Sequence, residues 1–153
     1  MISLFLAEKN ILKKPVLYLS DFFERNRTLY YDNLMRVREK NDITQWFKFF
    51  LVGVIETAKK SIETFDNILK LQKEVDAKLL TLGSRMTNAH TIINYLYQHP
   101  IIGAYKAQEI TAISLPSVYK LIAELEKLNI IVEITGGKRS KLYLFKDYIE
   151  LFK

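Results

Sequence analysis

Residues 114–145 pass from a helical to an alternating hydrophobic pattern, and they read SLPSVYKLIAELEKLNIIVEITGGKRSKLYLF. Ser114 with Pro116 behind it is typical of a helix start, because a proline in the first turn has no N–H to leave unpaired. Apolar residues then recur at the helical period, at Val118, Ile122, Leu125 and Leu128. Asn129 stands where a C-cap is expected. This half of the stretch predicts one amphipathic helix.

The other half predicts a β-hairpin. Ile130 to Thr135 is rich in β-branched residues, and Gly136-Gly137 is a hairpin-turn signal. Leu142-Tyr143-Leu144-Phe145 returns as the second strand. The turn between the two strands is basic.

Two helices are predicted before this segment. Thr87 is expected to cap a helix that His99-Pro100 ends. A short helix around Ala107 to Thr111 and a turn at Ala112-Ile113 follow. Three helices and then a two-stranded hairpin with a basic turn is the order of a winged helix-turn-helix. We therefore expect a winged helix-turn-helix over residues 84–153, after a boundary at Gly83 to Thr87.

The apolar periodicity and the capping signals of residues 1–83 predict a purely helical segment, so the fold is expected to be mostly α. The run Ile2–Leu6 is interpreted as the last turns of a helix. Ser20 is a good N-cap for the next helix, and Asp42 with Gln45 is a capping-box signature for a long helix that Gly83 ends. The apolar stripe of the long helix runs through Trp46, Phe50, Val54, Ala58, Ile62, Phe65, Leu69, Val75 and Leu79.

That stripe has two interpretations. It packs against neighbouring helices of the same chain, or it forms a stalk that pairs with a second copy, because so short a chain cannot wrap a helix of about forty residues. In either case we expect a scaffold and not a site.

Composition narrows the class of protein. The 153 residues include no Cys, which excludes disulfides, thiolate metal sites and a Cys nucleophile and fits a cytoplasmic protein. The start has no basic segment of the kind a signal peptide carries, and the longest other apolar run, Phe49 to Ile55, is too short to span a bilayer. The net charge of +6 permits an acidic partner without requiring one.

Catalytic and metal-binding patterns are missing from the sequence. The only histidines, His90 and His99, have no Cys near them, so no metal site is expected. The five glycines match neither a phosphate loop nor a nucleophile elbow. No catalytic residue is therefore predicted.

Nucleic-acid recognition remains as a candidate chemistry. The second helix of a helix-turn-helix presents its N-terminal part to base edges. Its candidate contacts here are Ser117, Tyr119 and Lys120. Around the hairpin turn, Lys138, Arg139 and Lys141 are placed to neutralise phosphates. Glu124 on the same helix weighs against DNA because it repels phosphate, and winged helices also serve as protein-binding modules.

A family resemblance rests on a longer run of residues. The stretch Pro15–Arg27 reads PVLYLSDFFERNR. It is followed by Tyr30-Tyr31, Leu34, Val37-Arg38, Asp42, Trp46, Phe49-Phe50-Leu51 and Gly53-Val54. Together these residues resemble the segment that follows the active-site motif of Fic proteins, the family named for filamentation induced by cyclic AMP. The residues from Ala107 to Phe152 resemble the winged helix appended to many bacterial members.

The resemblance implies a nucleotide chemistry that this chain does not complete. Fic proteins transfer AMP from ATP, with Mg²⁺, to a hydroxyl of a target protein, using the motif His-Pro-Phe-x-Asp/Glu-Gly-Asn-Gly-Arg. That motif is missing here, since the only His-Pro, at His99-Pro100, continues Ile101-Ile102. By resemblance, Tyr30 and Tyr31 lie near the adenine of bound nucleotide in an intact relative. The chain itself is expected to need no cofactor.

Three functions follow as expectations. The first is the C-terminal part of a Fic protein, inactive alone, whose winged helix binds DNA or a protein partner. The second is a fragment of an adenylyltransferase whose motif lies upstream and which acts on a target or regulatory protein. The third is a structural module that forms a homodimer.

Overall fold

The computed structural model describes residues 19–137 and 140–152. The predicted helix end at Ile2–Leu6 and the basic pair Lys138 and Arg139 lie outside the described residues.

The described chain is mostly helical, with one small antiparallel sheet. Its helices are α1 (Leu19–Arg25), α2 (Arg27–Lys40), α3 (Ile43–Leu79), α4 (Met86–Leu96), α5 (Ala104–Thr111), α6 (Leu115–Lys127) and α7 (Lys146–Glu150). A 3-10 segment, Leu80–Arg85, lies between α3 and α4. The strands are β1 (Ile101–Gly103), β2 (Val132–Glu133) and β3 (Leu142–Leu144).

Contacts divide the chain into two compact units within α3. The N-terminal unit ends at Phe65 and the C-terminal unit begins at Asp66. The domain boundary at residues 83 and 84 stays a prediction. At Gly83 the backbone does leave helical geometry, with φ 55° and ψ −124°. This left-handed region favours glycine.

In the N-terminal unit, the helix predicted from Ser20 is interrupted. Asn26 has φ −111° and ψ 34° and separates α1 from α2. Its side-chain amide donates a 2.9 Å hydrogen bond to the carbonyl of Phe22, so it competes with the helical ladder. Ser20 lies inside α1 and is not its N-cap, so both details of that prediction were wrong.

The capping of α3 agrees with the sequence. The backbone N–H of Gln45 donates to Oδ1 of Asp42 at 3.2 Å, which is one half of the predicted capping box. The long helix then continues to Leu79 without a break.

An aromatic cluster packs α1 and α2 against the start of α3. Its members are Phe22, Phe23, Tyr30, Trp46, Phe49 and Phe50, with neighbouring ring centroids 5.1–6.3 Å apart. The buried Phe22 ring lies directly on Gly53, where an added Cβ would be 2.5 Å from the ring. Glycine at this position therefore allows the close approach of α1 to α3.

The C-terminal unit has a dense core. Its fully buried side chains come from the end of α3, from α4 and α6, and from the sheet and its flanks: Val75, Leu79, Ile92, Ile93, Leu96, Ile102, Val118, Leu121, Ile122, Leu125, Ile131 and Phe145. Of the predicted inner face of α6, Val118, Ile122 and Leu125 are among them, and Leu128 is partly buried. The periodicity of α6 was thus a reliable guide to burial.

The end of α6 is fixed as predicted by an asparagine. Asn129 adopts a left-handed φ of 52°. The N–H of Ile130 then donates to the carbonyl of Leu125 at 3.0 Å, and both of these side chains are buried. The left-handed asparagine and this hydrogen bond are those of the Schellman motif.

The sheet contains a strand that the sequence did not predict. β3 lies between β1 and β2, with Ile102 opposite Tyr143 and Glu133 opposite Tyr143 on the other side. The hairpin was predicted, although β2 is shorter than the run from Ile130 to Thr135. α4 begins at Met86, so Thr87 lies inside it and is not its cap.

No helix within residues 19–137 and 140–152 is both long and apolar enough to cross a membrane.

Candidate nucleic-acid interface

The turn between α5 and α6 brings the two helices into a tight corner. Only residues 112–114 connect them. Ala112 takes a left-handed conformation, with φ 55° and ψ 23°, and its N–H donates to the carbonyl of Gln108 at 2.9 Å. Ala107 on α5 and Val118 on α6 are fully buried in one cluster. The corner is therefore fixed by the backbone and by the core.

α6 has one buried and one exposed face. Val118, Leu121, Ile122 and Leu125 are buried. The opposite face is exposed and carries Pro116, Lys120, Ala123 and Lys127. We call these four residues the outer face of α6. Lys120 lies at its centre, as the sequence predicted, with the half-exposed ring of Tyr119 beside it.

The start of α6 is organised by two serines. Ser114 occupies the N-cap position with φ −64° and ψ 146°, as predicted. Its hydroxyl bonds the hydroxyl of Ser117 at 2.9 Å instead of a backbone N–H. Ser117, a predicted contact residue, is exposed at the edge of the outer face.

Glu124, which the sequence placed against DNA binding, is paired. Its Oε1 bonds the guanidinium of Arg85, and its side chain is only 24% exposed. The arginine neutralises the carboxylate beside the outer face. The pairing has no local signal, because Arg85 belongs to the 3-10 segment before α4. Sequence reasoning therefore missed Arg85.

Sequence reasoning also missed Ala123 and Lys127. Both follow Lys120 on the same face, three and seven residues later. The helical spacing was sufficient to find them. A small residue such as Ala123 allows the helix to approach a partner closely.

In the hairpin, Glu133 holds the turn and compensates a lysine. Its Oε1 accepts hydrogen bonds from the N–H of Thr135 at 2.9 Å and the N–H of Gly136 at 2.8 Å. The hydroxyl of Thr135 also donates to it. These hydrogen bonds, that of the hydroxyl first, and the nearby ammonium of Lys141 keep the pKa of Glu133 below its usual value.

Lys141 is accordingly not a fully available cation. Its Nζ lies 3.5 Å from Oε2 of Glu133. The other two predicted phosphate contacts, Lys138 and Arg139, lie outside the described residues. Among the predicted cations, Lys120 is the one that the structure places on an exposed helix face.

The predicted nucleotide residues lie on α2, in the N-terminal unit. Tyr30 packs on Phe23 with a centroid distance of 5.1 Å, inside the aromatic cluster. Tyr31 is half exposed, with the guanidinium carbon of Arg27 5.9 Å from its ring centre. Packing explains Tyr30, and the adenine contact of both residues stays a prediction.

Two titratable side chains away from α6, Tyr97 and His90, lie near the carboxylate of Asp76. Burial, with the charge of Asp76 and the nearby Tyr148, raises the pKa of Tyr97 to about 12. His90 Nδ1 lies 3.7 Å from Oδ1 of Asp76. In the part of the chain that the structure describes, no three His, Cys, Asp or Glu side chains form a group that could hold a metal ion.

No model of a known protein family matches the chain. The resemblance to Fic proteins therefore rests on the residues quoted above and stays a prediction.

Proposed function

We propose that the C-terminal unit is a winged helix-turn-helix that binds double-stranded DNA, with α6 in the major groove. The outer face of α6 carries this proposal. It combines two exposed lysines, Lys120 and Lys127, with the uncharged Pro116 and Ala123, and it stands opposite a fully buried face that fixes its direction.

The order of elements supports this fold. A helix, a short strand, two helices joined by a tight turn and a hairpin follow each other from α4 to β3. In a helix-turn-helix, the second helix lies in the major groove and its N-terminal residues contact base edges. α6 occupies that place in the order, and Lys120 lies in its first half.

The charge of the C-terminal residues fits an anionic partner, and one ion pair removes an objection to DNA. Residues 81–153 carry nine Lys and Arg against six Asp and Glu. Because Arg85 pairs with Glu124, the carboxylate that weighed against DNA carries no uncompensated charge toward a phosphate backbone. Lys120 and Lys127 then make the face cationic.

The test is a matched pair of lysine variants. Duplexes of about 20 base pairs, two turns of B-DNA, are selected on the protein from a random pool. Their affinity for Lys120→Ala is expected to be about tenfold lower, which lies within the ~1–3 kcal/mol of one good contact to a base. Lys70→Ala removes the same charge from an exposed position on α3 of the same unit. It is expected to change the affinity less than about twofold.

Two outcomes would contradict the proposal. One is that no duplex is enriched and none binds at low salt. The other is that Lys70→Ala weakens binding as much as Lys120→Ala, because binding would then follow net charge and not the face of α6.

A further inference from the structure

We propose that α6 selects a G·C base pair next to an A·T base pair, with Lys120 on the guanine and Ala123 against the methyl group of the thymine. This inference rests on the proposed binding of α6 in the major groove, and it adds the class of DNA sequence that the helix recognises. Its basis is the small set of groups that the outer face of α6 presents.

Lys120 selects among bases by what it can donate. It is exposed in the second turn of α6, and none of the ion pairs within the described residues includes it. An ammonium group donates hydrogen bonds and accepts none. In the major groove guanine presents the adjacent acceptors N7 and O6, whereas cytosine presents an amino donor and adenine an acceptor beside an amino donor. Guanine is therefore the base that best matches Lys120.

Ala123 presents a methyl group and no polar side-chain atom. It is exposed three residues after Lys120, on the same side of the helix. The C5 methyl of thymine is the apolar group that the major groove exposes, and alanine is one of the side chains that contact it. Thymine is therefore the base that best matches Ala123.

The spacing of the two residues fits neighbouring base pairs. At a rise of about 1.5 Å per residue, they lie roughly 4.5 Å apart along α6. Successive bases along a strand of B-DNA are about 3.4 Å apart. Lys127 is the last residue of α6 and lies roughly 10 Å beyond Lys120. We assign Lys127 to a phosphate, because the N-terminal part of a recognition helix contacts the bases.

A carboxylate in the groove would favour a different sequence, because glutamate accepts a hydrogen bond from the amino group of cytosine. Glu124 is kept from this contact. Its Oε1 bonds the guanidinium of Arg85, and its Oε2 is buried. Glu126, next to the last residue of α6, lies beyond the part of the helix that contacts bases. Lys120 and Ala123 are thus the groups that distinguish the bases.

Base analogues test the assignment without any change to the protein. Selection from the random pool is expected to enrich duplexes that contain a G·C pair next to an A·T pair. Replacing this guanine by 7-deazaguanine removes the N7 acceptor, and we expect the affinity to fall about fivefold, as for the loss of one hydrogen bond. Replacing this thymine by uracil removes only the methyl group. The expected loss is about threefold, as for one methyl-sized group left unburied.

Protein variants assign each analogue to its residue. Fluorescence anisotropy with Lys120→Ala is expected to show no further loss from 7-deazaguanine, and with Ala123→Gly no further loss from uracil, because the partner group is already absent. Lys127→Ala is the control, since it removes a cation from the same face. It is expected to weaken binding to the selected duplex and to both analogues by the same factor. Circular dichroism checks that each variant keeps its helices.

Several results would overturn this inference while DNA binding itself stands. They are enriched duplexes that lack the two neighbouring base pairs, analogues that bind as well as the selected duplex, and analogue losses that Lys120→Ala and Ala123→Gly leave unchanged. If no duplex binds at all, the inference and the proposed function are both wrong.

Discussion

Phe145→Ala is expected to lower the free energy of unfolding by about 3–5 kcal/mol, the range for truncating a fully buried aromatic residue. Phe145 has no exposed surface and follows β3 directly. Its ring lies 5.4 Å from the ring of Tyr97 and 5.6 Å from that of Tyr148. Its N–H also donates to the carbonyl of Pro100 at 2.9 Å, and this hydrogen bond remains in the variant. The loss should therefore come from packing.

Guanidinium denaturation followed by far-ultraviolet circular dichroism measures the effect. Phe152→Ala is the control, because Phe152 is half exposed and its ring lies 5.2 Å from that of Tyr148, at the edge of the same cluster. We expect it to cost less than about 1 kcal/mol, as for most exposed positions. Equal effects of the two variants would show that the hairpin is not docked through Phe145.

Gly53→Val is expected to destabilise the N-terminal unit by about 2–3 kcal/mol, the upper part of the range for overpacking. The added side chain would overlap the Phe22 ring, whose nearest carbon is 2.5 Å from the Cβ position. The ring is buried within the aromatic cluster and packs on Phe49 at 5.3 Å, so it has little room to move.

Trp46 reports this effect locally. It is the only tryptophan of the chain, and its ring is 6.3 Å from Phe49 and 5.4 Å from Phe50. Denaturation curves from its fluorescence are recorded for Gly53→Val, Phe22→Ala and the double variant. Because the truncation removes the overlap, the double variant should be clearly more stable than the sum of the single effects implies. Strict additivity would show that Phe22 does not confine Gly53.

Periodic features were predictable from the sequence, and single-residue features were not. α4 and α6 follow from hydrophobic spacing because each has a face buried by tertiary packing. On α3 the predicted stripe is buried only at Val75 and Leu79, and Ile62, Phe65 and Leu69 in its middle are exposed. Thr87 resembles an N-cap in the sequence, but only the preceding backbone determines where α4 begins. Asn26 separates α1 from α2 through a hydrogen bond of its side chain. The apolar pattern continues across Asn26 and does not reveal this break.

β1 was missed for a different reason. It has three residues, and its hydrogen bonds all go to β3, far along the chain. A strand this short has too few positions for an alternating pattern to be recognised. Its presence depends on a partner strand, and this information is not local.

In the candidate interface, too, some residues were predictable from the sequence and others were not. Lys120 and Tyr119 were found because the exposed side of a helix can be derived from its buried side. The charge around them is adjusted by two ion pairs that no local pattern shows, Arg85 with Glu124, which are 39 residues apart, and Lys141 with Glu133 across the hairpin. The first pair favours DNA binding, because it neutralises a carboxylate that would repel phosphate. The second disfavours it, because it engages a lysine that was predicted to contact phosphate.

The salt dependence of DNA affinity tests the central proposal most directly. Fluorescence anisotropy of a labelled, selected duplex is measured with the full chain between about 50 and 200 mM salt, where contacts to phosphates release counterions. We predict that the logarithm of the association constant falls with the logarithm of salt concentration with a slope of about −2 or steeper, and that the slope is shallower by about one for Lys120→Ala. Absence of binding at the lowest salt, or a slope that Lys120→Ala leaves unchanged, would contradict DNA recognition by α6.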